Sequence, residues 1–163
     1  MQRCAKILSL VLVLCIVGMI GVYASPDTVG TDATGNTYDL IVITNPQNQK
    51  DSTFDSTYVV SGYGKEGTVV TLYRYDSTEK VYKKVYNETQ YVDEKGTTQT
   101  MSSEATVTIG ASGLFMNSLA ISQGSQDFIV RAENGDAVQV MKFSITKYNY
   151  NLLDILKSLI GQK

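Results

Sequence analysis

The sequence predicts an antiparallel β-sandwich followed by a short C-terminal amphipathic helix, and three observations predict it. Between residues 38 and 147 the β-branched and apolar residues come in runs of five to nine, separated by short turn-rich segments. Within several runs the apolar positions alternate, and no helical period occurs before residue 148. Beyond residue 148 the spacing of aliphatic residues turns helical. At 163 residues the chain suffices for one ordinary domain, not two sizeable ones, and no internal repeat divides it.

Residues 1–24 predict a signal peptide. Arg3, Lys6 and the free amine form a positive start, Leu8 to Ile20 is a continuous apolar stretch, and Gly21-Val22-Tyr23-Ala24 places small residues before Ser25. Cleavage after Ala24 is the expectation. The alternative is an uncleaved N-terminal anchor that leaves the rest exposed outside the cell, because about 18 apolar residues also meets the lower limit for a bilayer span. Both cysteines, Cys4 and Cys15, lie in this segment, so the mature chain has no thiol and no disulfide. It also loses two basic residues, leaving twelve Lys and Arg against sixteen Asp and Glu, a charge of −4.

Residues 25–37 carry almost no apolar side chains and are expected to be a flexible linker. The domain proper is expected over 38–147. Its first strand is Leu40–Thr44, stopped by Asn45-Pro46. Polar residues 47–56 are expected as a loop. Tyr58–Gly62, Thr68–Tyr75 and Glu79–Tyr86 are the next strands. Asn87–Glu104 is polar throughout, hence an exposed excursion or a weak edge strand. Ala105–Ile109, Leu114–Ile121, Gln126–Glu133 and Ala137–Ile145 complete the set, the last two joined through an Asn134-Gly135 turn. Alternation sends Tyr58, Val60, Val70, Leu72, Phe128, Val130, Ala132, Met141, Phe143 and Ile145 inward.

The stretches Val60-Ser61-Gly62, Gly67-Thr68-Val69-Val70-Thr71-Leu72-Tyr73, Val107-Thr108-Ile109-Gly110-Ala111-Ser112-Gly113-Leu114-Phe115, Leu119, Gly124 and Phe128-Ile129-Val130-Arg131-Ala132 together resemble bacterial Ig-like domains. That family occurs in secreted and surface proteins of Gram-positive bacteria. The resemblance covers about residues 40–146 and implies an Ig-like sandwich without fixed catalytic residues. It also implies a spacer, adhesion or enzyme-appendage role. Two departures weigh against a spacer: the long stretch 76–104, and a single module with a C-terminal helix in place of a tandem array.

Composition excludes several chemistries. With no His the chain lacks the triad base, the usual zinc ligand and the neutral-pH proton shuttle. A net charge of −2 without a basic stripe gives nothing to neutralise nucleic-acid phosphates. Ser77-Thr78-Glu79-Lys80 and Ser144-Ile145-Thr146-Lys147 match Ser-x-x-Lys, but the Ser-Asp-Asn and Lys-Thr-Gly companions are missing. Asp76, Glu79, Asp93, Glu94 and Glu104 sit in polar surroundings, where no burial raises a pKa for acid catalysis. The Asp32–Asp39 stretch lacks the regular spacing and terminal Glu of a calcium loop. Asn87-Glu88-Thr89 fits a glycosylation acceptor, a pattern without meaning in the bacterial setting. No catalytic residue, metal or cofactor is expected.

Eleven Tyr against four Phe and no Trp point elsewhere. Pairing Thr68–Tyr75 with Glu79–Tyr86 so that Tyr75 opposes Lys80 turns Tyr73, Tyr75, Tyr82 and Tyr86 outward, flanked by Lys80 and Lys84. Such a face either stabilises the sheet through cross-strand pairs or offers an aromatic platform to a protein or a cell-wall carbohydrate. In the tail, Asn151 can cap a helix over 148–163 and Gly161 can stop it. Leu152, Ile155, Leu156, Leu159 and Ile160 then form one stripe, to be covered by the module's own open end or by a partner. The function expected is binding or adhesion at the bacterial cell surface or in the extracellular space. The alternative is a carbohydrate-binding accessory to a separate glycoside-active enzyme. Membrane contact is expected only through an uncleaved signal segment.

Overall fold

The computed structural model describes residues 25–149, so the signal segment and the C-terminal helix stripe lie outside the described residues. Among the described residues there are strands and no helix. Twelve strands run in order: β1 Thr28–Val29, β2 Ile41–Asn45, β3 Lys50–Thr53, β4 Thr57–Gly64, β5 Val69–Asp76, β6 Val81–Lys84, β7 Tyr86–Val92, β8 Thr98–Glu104, β9 Thr106–Thr108, β10 Leu114–Ala120, β11 Gly124–Asn134 and β12 Ala137–Lys147.

They form three sheets. The largest has the order β1-β6-β5-β11-β12-β3, with β9 also paired to β5. The second is β10-β4-β2, and the third is the β7-β8 hairpin. Pairing is antiparallel except where β3 runs parallel to β12. The first two sheets share one core. Ile41, Tyr58, Val60, Phe115 and Leu119 come from the smaller sheet; Val70, Leu72, Phe128, Val130, Ala132, Phe143 and Ile145 come from the larger. Every residue of the expected inward set lies in this core, Met141 at its margin, and Ile41, Ile109, Phe115, Leu119 and Ile121 join it beyond that set. Alternation works here because opposite residues of an antiparallel pair share a face. At Gly62 a β carbon would lie 2.8 Å from the Phe115 ring and 2.1 Å from the Val42 carbonyl oxygen, so only glycine fits.

Three local expectations are corrected and one open alternative is decided. The stretch 47–56 holds β3, a short polar strand with no apolar residue to announce it. The fourth strand ends at Lys84, and Tyr86 instead opens β7. Of the two readings of 87–104, the exposed excursion is observed: together with Tyr86 it forms both strands of the β7–β8 hairpin, closed by an Asp93 carboxylate that accepts the Lys95 and Thr97 amides. The β11–β12 turn has Gly135-Asp136 at its centre, since Asn134 pairs with Ala137. Gly135 takes φ 58°, which suits the first central position of a tight hairpin turn.

The β5–β6 register also differs. Tyr75 opposes Tyr82, and Tyr73 opposes Lys84. The slip is two residues, so every side chain keeps its face. Its cause is a four-residue loop, Ser77–Lys80, in which Asp76 accepts the Thr78 and Glu79 amides and Lys80 adopts φ 57°.

Candidate binding faces

The outward face of the larger sheet gathers the residues expected to bind, and it is covered. Tyr73 is 0% exposed and Tyr82 is 9% exposed, packed with Ile129 and Val29 in a second apolar cluster. Ala33, Tyr75 and Val140 border it. Rings of Tyr75 and Tyr82 meet at 5.2 Å. Burial pushes the phenol pKa of both Tyr73 and Tyr82 upward. Lys84 is buried too, while Lys80 and Tyr86 stand exposed, apart from the rest. The sequence therefore brings Tyr73, Tyr75, Tyr82 and Lys84 to one face, as expected, but that face is interior.

Residues 25–39 cover it; the expected flexible linker is a packed strap. Val29 pairs with Tyr82 and Thr28 with Lys83 as β1 extends the sheet. The Tyr73 hydroxyl donates to the Pro26 carbonyl at 2.8 Å, and Lys142 Nζ donates to the Thr31 carbonyl at 2.7 Å. Asn36 then grips the β11–β12 turn: its amide donates to the Val138 carbonyl, its side chain accepts from the Val138 amide and donates to the Asp136 carbonyl. At the end of the strap the buried Gln139 side chain accepts from the Leu40 and Ile41 amides, each at 2.9 Å. Backbone groups that a linker would leave to water are thus satisfied within the protein.

An ion cluster anchors the strap's start. Lys84 Nζ donates to the Ser25 carbonyl at 2.8 Å and pairs with Glu104 at 3.2 Å and Asp27 at 3.4 Å. Burial works against the Lys84 ammonium, but Glu104 and Asp27 outweigh it and raise its pKa. The Ser25 hydroxyl donates to Glu133 at 2.6 Å and accepts from Thr71 at 3.0 Å. Glu133 also accepts from Arg131 at 2.8 Å. Burial raises the Glu133 pKa, yet the hydrogen bonds from Arg131 and Ser25 and the nearby positive charges more than reverse that and lower it.

Among the described residues nothing covers the outward face of the smaller sheet. Tyr63 lies opposite Val42 on one side and Leu114 on the other, while Met116 lies opposite Ser61. Exposures are 50% for Tyr63, 47% for Val42, 65% for Leu114 and 68% for Met116. A shallow hollow beside them is lined by Thr44, Ser61, Gly62, Leu114, Phe115 and Met116. A second groove, polar, lies between the β7–β8 hairpin and β10: Tyr86, Asn87, Glu88, Thr89 and Ser103 face Thr57, Ser118 and Ala120.

Sequence reasoning missed the bare face. A signal existed: Leu40-Ile41-Val42-Ile43 and Leu114-Phe115-Met116 are apolar at both parities, so each strand carries apolar side chains to two faces. Among the described residues no group of three or more acidic, His or Cys side chains is placed to hold a metal ion. Asp39, in the stretch weighed as a calcium loop, instead pairs with Lys65 at 2.8 Å. Comparison with protein-family models, curated proteins and solved structures finds no match.

Proposed function

We propose that this chain is a secreted, non-catalytic, Ig-like module that binds a protein through the bare face of its smaller sheet, at the bacterial cell surface or in the extracellular space. The observation that carries this reading is the contiguous apolar patch of Val42, Tyr63, Leu114 and Met116. Patches of this kind on soluble domains mark interaction sites, and side chains with large apolar area dominate binding energy. The hollow over Gly62 and Phe115 gives a partner's apolar side chain a place to seat. The two-sheet core supports the Ig-like assignment, as do the glycines and alternating strands quoted above. The carboxylates with altered titration support the non-catalytic reading. Asp39, Asp76, Asp93 and Glu133 are all shifted down, away from what a general acid requires.

A carbohydrate-binding accessory role is the second reading, favoured by the exposed Tyr86 beside the polar groove. The two are separated with immobilised protein challenged by purified cell-wall fractions and by whole-cell extract. A protein retained by the parent and lost from a Leu114→Ser, Met116→Ser double variant supports the first reading. Retention of wall glycan that survives the double variant and disappears in Tyr86→Ser would replace it with the second.

A further inference from the structure

We propose that the chain is cut between Ala24 and Ser25, and that the ammonium group released on Ser25 locks the strap by completing the ion cluster beneath it. This rests on the exported reading of the chain. The cluster holds three carboxylates, Asp27, Glu104 and Glu133, and two cations, Lys84 and Arg131. It is one positive charge short of neutral. Ser25 is 7% exposed and bonded through its hydroxyl and its carbonyl to members of that cluster. A serine nitrogen lies no more than about 4 Å from its own Oγ, so covalent geometry alone keeps it near Glu133. At such range an opposite charge favours the charged form of both groups.

In the uncut chain this nitrogen is a neutral amide. Hydrolysis by an exported-protein endopeptidase adds water across the Ala24–Ser25 bond. The hydroxyl stays on the Ala24 carbonyl carbon as a carboxylate, and the Ser25 nitrogen leaves as an amine that takes up a proton. The cut bond adjoins a residue the strap buries, so cutting precedes docking. Processing thus supplies the charge that the folded cluster lacks.

The test begins with the full chain expressed with its own leader in an exporting host. Intact mass of the purified product is expected to correspond to a chain beginning at Ser25; a mass that retains any leader residue, or begins later, overturns the cut. The product is then unfolded, acetylated on its α-amine alone, and refolded beside a mock-treated sample. Acetylation restores the neutral nitrogen without changing any side chain. The acetylated form is expected to melt about 3–5 °C lower at pH 6. In Glu133→Gln, or in Glu104→Gln should the first variant not fold, the difference is expected to vanish because the cluster is already neutral. Equal melting of free and acetylated parent would overturn the lock while leaving the exported reading standing.

Discussion

Tyr73 and Tyr63 both point outward from sheets that share one core, yet Tyr73 is fully buried and Tyr63 is half exposed. The difference lies in what the rest of the chain does, since both strands present apolar side chains to two faces. On the larger sheet the first fifteen described residues lie across Tyr73, Ile129 and Tyr82, and their strand β1 pairs with β6. On the smaller sheet nothing among the described residues lies across Val42, Tyr63, Leu114 and Met116 to bury them. An apolar outward face is thus finished as interior in one case and, among the described residues, left exposed in the other.

Truncation of the two tyrosines has the largest expected effect on that contrast. Tyr73→Ala is expected to lower stability by about 3–5 kcal/mol in urea unfolding, as for a large aromatic removed from a core. Tyr63→Ala is expected to cost about 1 kcal/mol or less, the value of exposed cross-strand contacts. Equal losses would mean the two faces do not differ. Next comes the strap. Val29→Ala removes two buried methyl groups from the Tyr73–Tyr82 cluster, with an expected loss of about 1–2 kcal/mol in the same assay.

Acid probes the anchoring charges. The Glu133 pKa is lowered on folding from its ordinary 4.5, and that of Asp76, held by Lys83 and the turn amides, falls to about 2. Groups depressed in this way stabilise the fold fully above their ordinary pKa and lose the contribution as pH falls through the folded value. Midpoints of urea unfolding are therefore expected to hold from pH 7 to about pH 5 and to decline between about pH 4 and pH 2. A flat profile across that lower window would remove the ion cluster from the account. The smallest effect on stability belongs to the bare face: Leu114→Ser with Met116→Ser is expected to change it by about 0.5 kcal/mol per site or less while reducing binding of a hydrophobic dye.

Much of this was legible in the sequence, and the misses share one physical origin. Alternation correctly sent Val70, Leu72, Val130 and Phe143 inward because one face of each strand meets the main core. It assigned the remaining parity to water by default. Yet Val69-Val70-Thr71-Leu72-Tyr73 and Phe128-Ile129-Val130 are nearly continuous apolar runs, the pattern of strands buried on both sides. Such a run calls for a second cover, and Val29 is one of the few apolar residues upstream that can supply it. The strap itself was hard to read because it is held chiefly by backbone groups, by its own Asn36 and Ser25, which equally suit a solvated linker, and by Gln139 far along the chain on β12. The two-residue slip of the β5–β6 hairpin left the site's face intact, since the side-chain period is two.

Hydroxyl-radical footprinting with mass spectrometry compares the two faces inside one sample, because tyrosine and methionine both react readily when water reaches them. Tyr63 and Met116 are expected to label rapidly, and Tyr73 and Tyr82 to stay protected until the protein unfolds. Labelling of Tyr73 and Tyr82 as fast as Tyr63 in the folded protein would contradict this, and would return the tyrosine face to the surface.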